Sequence, residues 1–251
     1  ASELIQSRLV DLTLRPLSVW DVDKAVTAYE TLDSRIKRIY YASGDGTDSA
    51  SNEIGEIFPR VNKTMLKQIE TSDAIIYGMG SLYTSIVPNL ILRDVGEAIA
   101  QRNCPKILMF NGSIDRETSG MTATDYILAI VDALNRKHTE YAIDFHVSDY
   151  VTHILTPDGG QFIVDDDALK AASLSRDKAI IVKSEVSRTF TDGKKKKEKT
   201  ANGRYVPAEL VKAVVAVVED FTEKKNSVAR DEEEHDGEVI NGEKNVEENE
   251  E

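Results

Sequence analysis

The stretch DAIIYGMGSLYTSIVPNL, residues 73–90, decides how the fold is interpreted. Its first part, AIIYGMG at 74–80, is almost continuously apolar, as expected of a strand covered on both faces of a sheet. Two glycines, a threonine and two serines then lead into a segment that contains a proline. A strand that ends in a glycine-rich turn before a helix is typical of parallel α/β folds.

The same alternation extends along the chain on both sides of this stretch. Residues 61–70, 91–103 and 122–137 have the apolar spacing of helices, and KILMFNG at 106–112 is a second buried strand. The order helix, strand, helix, strand, helix predicts an α/β fold. We expect a three-layer α/β/α arrangement around a mostly parallel, Rossmann-like sheet.

The flanking segments have simpler patterns. Residues 8–19 and 34–43 alternate like half-buried strands, and KAIIVKSEVS at 178–187 has the pattern of another buried strand. TDGKKKKEKTANGRY at 191–205 is predicted to be a basic, solvated loop. PAELVKAVVAVVEDF at 207–221 opens with proline in its first turn, which favours a final packing helix.

Composition and charge restrict the class of protein. The net charge of -13, from 44 acidic and 31 basic residues, argues against nucleic acid as the main partner. The single cysteine, Cys104, cannot form an internal disulfide, and no apolar window is long enough for a membrane span. We therefore expect a cytoplasmic protein.

The charge is concentrated at one end of the chain. Residues 223–251 contain 12 acidic and 4 basic side chains and few apolar ones, so they are predicted to form a disordered acidic tail. Residues 1–222 are predicted to form one α/β phosphate-binding domain.

The turn after the strand at 74–80 has the composition of an anion site. Backbone N-H groups and the positive end of a helix dipole converge at such turns. Gly78 and Gly80 can take positive φ, and the hydroxyls of Ser81, Thr84 and Ser85 can donate hydrogen bonds. The alternative is structural, with glycine serving the turn geometry and Ser or Thr capping the helix.

The amino-acid sequences of two segments are similar to those of a known protein family. GMGSLYTSIVPNL at 78–90, followed by KILMFNGSIDRETSGMTATDYILAI at 106–130, resembles the family that joins 2-phospho-L-lactate transferases of deazaflavin coenzyme synthesis with bacterial gluconeogenesis factors. The similarity is strongest over residues 59–135, and RYVPAEL at 204–210 extends it. The resemblance implies a three-layer α/β fold.

The resemblance also implies a site and its ligands. The phosphate or nucleotide would be bound by Gly78, Gly80, Ser81, Leu82, Tyr83, Thr84, Ser85, Asn89 and Asn111. The aromatic ring of Tyr83 would either pack in the core or stack on a base. The family implies a phosphorylated or nucleotide-linked small molecule as partner, Mg²⁺ in the transferases, and homo-oligomers in several members. No catalytic residue and no metal ligand follows from the motif.

Two departures from the family pattern bear on activity. One residue fewer separates Asn111 from Glu117, and the family's first glycine-rich strand, turn and helix, with its Gly-Gly-Gly-Thr/Ser-Gly run, is missing. We therefore expect either the C-terminal portion of a longer protein or a divergent chain that has lost catalysis.

Three functions follow from these observations. The first is transfer of a phospho-lactyl group from a nucleotide donor to a deazaflavin-type hydroxyl. The second is a non-catalytic regulatory protein that binds a sugar nucleotide, like the gluconeogenesis factors. The third is a chain with no ligand, in which the loop is an inherited turn.

Other charged groups have two interpretations each. The trio Asp115, Arg116 and Glu117 is either a solvated turn with a helix-capping carboxylate or a ligand contact, with Arg116 near a phosphate. The lysine run at 194–197 is either a basic patch for an anionic surface or part of a solvated loop. The four histidines show no metal-ligand spacing.

Overall fold

A computed structural model describes most of the chain. The described residues are 10–11, 15–16, 32, 34–42, 56–137, 144–190 and 197–247, and the side chains of 10–16, 186–202 and 228–247 are outside the description.

The helices and strands follow one another in chain order, with these bounds: β1 (Val10–Asp11), β2 (Arg15–Pro16), β3 (Tyr41–Ala42), β4 (Glu56–Ile57), α1 (Lys63–Thr71), β5 (Ile75–Tyr77), a π-helical turn (Leu82–Ile86), α2 (Val87–Leu90), α3 (Val95–Ala100), β6 (Lys106–Met109), α4 (Ala123–Leu134), α5 (Val147–Tyr150), β7 (His153–Pro157), α6 (Asp166–Ala171), a 3₁₀ turn (Arg176–Lys178), β8 (Ala179–Val182), β9 (Ser184–Phe190), β10 (Lys197–Tyr205) and α7 (Pro207–Glu247).

The central sheet contains four parallel strands in the order β5, β6, β7, β8. Ile76 pairs with Ile107, and Leu108 pairs with Ile154. Because all four strands run the same way, their carboxyl ends meet at one edge, and the loops that follow β5 and β6 lie side by side there. The predicted parallel α/β sheet is confirmed.

Helices cover both faces of this sheet. On one face, Leu108, Phe110 and Ile154 belong to a core cluster that includes Leu90 of α2 and Ile130 of α4, among other residues of the helices. On the other face, α7 packs through Val217 against a second cluster that contains Ile107, Leu155 and Val182. Side chains alternate between the faces of a strand, so successive residues of β6 enter different clusters. The result is the predicted three-layer architecture.

Helix α4 begins at Ala123, directly after its N-cap residue Thr122, at the start of the segment predicted to be helical. The Thr122 hydroxyl accepts a hydrogen bond from the Asp125 N-H at 3.1 Å, and the Asp125 carboxylate accepts one from the Thr122 N-H at 2.8 Å. This reciprocal capping box fixes the start of the helix just after the carboxyl edge of the sheet.

Two local predictions are wrong. The segment at 191–205 is not a loop throughout, because Lys197–Tyr205 forms β10, which pairs antiparallel with β9 (residues 191–196 lie outside the described part). In the segment at 34–43, the strand is confined to Tyr41–Ala42, which pairs with β4. Pairing with the neighbouring strand in the chain, rather than alternation of apolar residues, sets the bounds in both cases.

Among its described side chains, helix α7 packs on the sheet only through the first part of the helix. Its last buried residue among the described side chains is Val217, and every residue from 222 to 227 is exposed. The backbone continues as helix to Glu247, which is more secondary structure than the acidic composition predicts. The prediction of a disordered tail rests on the small number of apolar residues that the tail could pack against the domain. Among the described residues, no helix is both long and apolar enough to cross a bilayer.

Candidate functional site

The glycine loop, residues 78–85, follows β5 at the carboxyl edge of the sheet and includes most of the π-helical turn. The carbonyl of Ser81 accepts hydrogen bonds from the N-H groups of Ser85 at 2.9 Å and Ile86 at 3.2 Å, which makes an unusually wide first turn. The side chains of Leu82 and Tyr83 are buried in the core. Packing, and not base stacking, is therefore the role of the Tyr83 ring here.

The backbone of the glycine loop does hold an anion, and that anion belongs to the protein. One carboxylate oxygen of Glu117 accepts hydrogen bonds from the N-H of Tyr83 at 3.0 Å and the N-H of Thr84 at 3.2 Å. Its second oxygen accepts one from the Thr84 hydroxyl at 2.8 Å. Of the two interpretations of Glu117, a capping carboxylate is the one seen, and the helix that it caps follows another strand.

The sequence suggests positive φ for the two glycines of this loop, but neither Gly78 nor Gly80 has a positive φ in the structure. A Cβ on Gly80 would lie 2.7 Å from the Cβ of Ser85, so this position needs glycine for close approach. Gly78 is exposed, and a Cβ there would meet nothing within 4 Å. The loop is therefore open to solvent on the Gly78 side.

The two asparagines of the predicted site support the loop backbone. The Asn111 amide donates to the carbonyl of Gly80 at 3.1 Å, which joins the ends of β5 and β6. The Asn89 amide donates to the carbonyl of Ser85 at 2.8 Å, within its own helical segment. Asn111 thus contacts the start of the glycine loop, whereas Asn89 acts on the far end of the loop.

The asparagine loop, residues 111–120, presents Glu117 on a tight turn. One oxygen of the Asp115 carboxylate accepts hydrogen bonds from the N-H groups of Glu117 and Thr118, each at 3.0 Å, and from the Thr118 hydroxyl at 2.8 Å. Thr118 is buried, so this turn is anchored in the protein. Arg116 is half-buried and forms no ion pair with any described residue. Arg116 is therefore a cation next to Glu117 in the chain, and it has no carboxylate partner among the described residues.

The hairpin of β9 and β10 also reaches this edge of the sheet, although no apolar pattern in its sequence indicates that contact. Gly203 of β10 contacts Gly112 so closely that a Cβ on Gly112 would lie 1.8 Å from the Gly203 carbonyl oxygen. The Tyr205 hydroxyl lies 3.0 Å from the carbonyl oxygen of Phe110 and 2.9 Å from that of Leu155. The hairpin formed by β9 and β10 is therefore anchored on the asparagine loop.

The described residues do not identify a metal centre. No group of three His, Cys, Asp or Glu side chains among them is arranged to hold a metal ion. His153 lies at the amino end of β7, at the opposite edge of the sheet, and contacts Thr152 and Lys178. Burial and the positive charge of Lys178 lower the pKa of His153 to about 4.

The chain is similar to one known protein family and to several known proteins. The family model described as 2-phospho-L-lactate transferase CofD matches residues 19–201. An uncharacterised protein of Saccharomyces cerevisiae is 28% identical over 155 residues, which are 58% of this chain and 33% of that protein. A putative gluconeogenesis factor of Nostoc sp. is 42% identical over 82 residues, covering 32% of this chain and 18% of the relative.

Two further proteins are similar to parts of this chain. The gluconeogenesis factor of Halalkalibacterium halodurans is 38% identical over 89 residues, or 33% of this chain and 28% of the relative. A crystal structure of a UPF0052 family member from Bacillus halodurans covers 67% of this chain and 48% of its own, with 25% identity and a TM-score of 0.43.

The matched part of the chain spans a third or less of each of these curated relatives. The family model, in contrast, covers well over half of the chain and includes both the glycine loop and the asparagine loop. The chain therefore belongs to the 2-phospho-L-lactate transferase CofD family.

Proposed function

We propose that the chain binds the phosphate of a nucleotide-linked or phosphorylated metabolite between the glycine loop and the asparagine loop. The observation that carries this proposal is the convergence of the Tyr83 N-H, the Thr84 N-H and the Thr84 hydroxyl on one carboxylate. Three donors that meet on a carboxylate are equally suited to a phosphate, whose oxygens accept the same charge-assisted hydrogen bonds.

In this proposal the ligand phosphate takes the place of the Glu117 carboxylate. Glu117 is half-buried and its partner Thr84 is exposed, so the contact lies close to solvent. Water therefore screens the attraction between the carboxylate and the loop, and a phosphate with more charge can compete for the same donors. The open space at Gly78 leaves room for the rest of the ligand.

Arg116 supports a phosphate rather than a neutral ligand. It is next to Glu117 in the chain and makes no ion pair with a described residue. Once Glu117 leaves the loop, its carboxylate can pair with a neighbouring cation while the phosphate occupies the donors. A half-buried guanidinium is also well suited to bidentate contact with the phosphate itself.

The reaction proposed for this site is the one in the family's name. A phospho-lactyl group would pass from a nucleotide donor to a deazaflavin-type hydroxyl. The hydroxyl oxygen would bond to phosphorus and lose its proton, the bond between that phosphorus and the nucleotide would break, and the nucleotide would leave. The loops would contribute orientation and hydrogen bonds to the phosphate. Magnesium is proposed on the resemblance alone. The described residues do not offer a cluster for it, so we assign it no ligands and no step.

A second function is supported by the curated relatives. Proteins called gluconeogenesis factors are 42% and 38% identical to this chain over 82 and 89 residues, respectively. A regulatory protein that binds a sugar nucleotide without chemistry would use the same hydrogen-bond donors. Formation of a product from a donor and a deazaflavin acceptor separates the two functions.

Thermal-shift titration tests the shared claim of phosphate binding. UDP, GDP, UDP-sugars and inorganic phosphate would each be added with and without magnesium, and a ligand that binds the folded state raises Tm with concentration. Ser81→Ala combined with Thr84→Ala should weaken binding by about 1 to 3 kcal/mol. Absence of any shift at millimolar concentrations would favour a loop that is only structural.

A further inference from the structure

Tyr126, in the first half of α4, has a completely buried side chain whose hydroxyl has no hydrogen-bond partner in the described part of the chain. The hydroxyl is the only polar atom of this side chain, so the residue has no second group through which to compensate. Buried polar groups are almost always paired, and an unpaired one calls for a missing partner such as a water molecule or a ligand.

The position of the ring places this hydroxyl near the proposed phosphate site. The Tyr126 ring packs against Phe110 at 5.0 Å and Phe162 at 5.4 Å between centroids. Phe110 directly follows β6, and Phe162 follows the turn after β7, so the ring lies at the carboxyl edge of the sheet.

The direction of the side chain agrees with this location. Helical side chains lean toward the amino end of their helix, which for α4 is the end that joins the asparagine loop. Burial, together with the negative charges of Asp115 and Glu117, raises the pKa of Tyr126. The phenol is thus a neutral donor at physiological pH.

The two nearby carboxylates do not use this donor. One Asp115 oxygen accepts three hydrogen bonds within its own turn, and Glu117 is turned toward the glycine loop. A third residue, Tyr83, contributes its ring to the core and not its hydroxyl to Tyr126. At the carboxyl edge of the sheet, this donor is therefore not used by any described residue.

We propose that the Tyr126 hydroxyl is a ligand-contacting group that donates a hydrogen bond to an anionic oxygen of the bound phosphate ligand. This inference rests on the proposed function. Entry of the ligand displaces the Glu117 carboxylate from the glycine loop, and withdrawal of that side chain gives the ligand access to the hydroxyl while the turn stays anchored through Thr118. The site then combines backbone donors from the glycine loop with one neutral donor from α4, which favours a ligand group that carries several acceptor oxygens.

Tyr126→Phe tests this proposal because it removes only the hydroxyl and keeps the packing against Phe110 and Phe162. We expect its Tm without ligand to equal or exceed that of wild type, because an unpaired buried donor is lost. We expect its affinity for UDP, GDP or inorganic phosphate, whichever binds wild type, to fall about tenfold, as for the loss of a hydrogen bond to a charged group.

Tyr150→Phe is the matched control. The Tyr150 side chain is also fully buried, but its hydroxyl donates to the Asn135 side chain at 2.8 Å, near the other end of α4. This variant should lose stability and keep the wild-type affinity. The contrast between the two variants separates a ligand contact from a structural hydrogen bond.

Each other outcome overturns the proposal in a recognisable way. If wild type binds and Tyr126→Phe binds equally well, the hydroxyl is not a ligand contact and the proposed function survives. If Tyr126→Phe also loses as much stability as Tyr150→Phe, the hydroxyl is paired with buried water. If wild type binds none of the three probes, the proposed function fails together with this inference.

Discussion

Gly112 and Gly203 lie in backbone contact, with the φ of Gly203 at +73° and no space for a side chain on Gly112. A polar hairpin and the asparagine loop are joined at this point, although the two glycines are far apart in the chain. The contact matters for function because Gly112 directly follows Asn111, whose side chain supports the glycine loop.

Gly112→Ala should destabilise the protein. Its new methyl group would overlap the Gly203 carbonyl oxygen, so the hairpin or the loop must shift, at a cost of about 2 to 3 kcal/mol in urea unfolding. Gly78→Ala is the control, because a Cβ there meets nothing within 4 Å. Equal stability of the two variants would show that the hairpin does not contact the loop.

Thr122→Ala should remove the capping box of α4. The Asp125 N-H loses the Thr122 hydroxyl as its acceptor, so the reciprocal pair of hydrogen bonds is broken. We expect a loss of about 1 kcal/mol in the free energy of unfolding. Thr124→Ala, two residues into the helix, changes the same residue type without touching the cap. Alanine favours the helix more than threonine does, so a loss as large in the control would place the effect in lost side-chain contacts and not in the cap.

His153 should make stability depend on pH on the acid side. The unfolded chain binds a proton at this residue near pH 6.5, whereas folding lowers the pKa to about 4. Between these values the unfolded state holds more protons, so stability falls with decreasing pH, by at most about 1.4 kcal/mol per pH unit.

His153→Gln provides the comparison, since glutamine keeps a polar side chain that does not titrate. Urea unfolding from pH 7 to pH 4 should show a smaller decrease for this variant than for wild type. Parallel curves across this range would mean that His153 is protonated in the folded protein.

Arg116→Gln should weaken the binding of UDP or inorganic phosphate about five- to tenfold, because one cation is lost beside the displaced carboxylate. Arg60→Gln removes the same charge from an exposed residue that pairs with Asp94 at 3.6 Å, so it controls for the change in net charge. A similar loss in both variants would reduce the role of Arg116 to long-range attraction.

Much of the sheet and its edge followed from the sequence. Apolar runs such as 74–80 and 106–112 are strong signals because strands buried on both faces tolerate few polar residues. The helix predicted at 122–137 is present as α4, because its apolar residues recur with helical spacing. Both loops follow directly after the two predicted strands, at the carboxyl edge of the parallel sheet.

The contacts that define the site were harder to predict. Glu117 binds backbone groups 33 and 34 residues away, and the choice between ligand contact and cap depends on that distant partner. The hairpin of β9 and β10 is polar, so no apolar period marks it, and its anchor is a pair of glycines. Tyr126 fitted an apolar stripe, and nothing in that stripe indicates whether a hydroxyl is paired.

Glu117→Gln tests most directly whether the glycine loop is a ligand site. Glutamine has the shape of glutamate but no charge, so its hydrogen bonds to the loop are weaker and the free protein should lose about 1 kcal/mol of stability. A weaker internal competitor leaves the donors more available to phosphate. Glu97→Gln, on the exposed side of α3, makes the same change in net charge away from the loop.

Calorimetric titration of both variants and wild type with UDP and inorganic phosphate is the decisive measurement. We predict an affinity about tenfold higher for Glu117→Gln than for wild type, and an unchanged affinity for Glu97→Gln. An affinity for Glu117→Gln that equals or falls below the wild-type value would contradict displacement of Glu117 by the ligand.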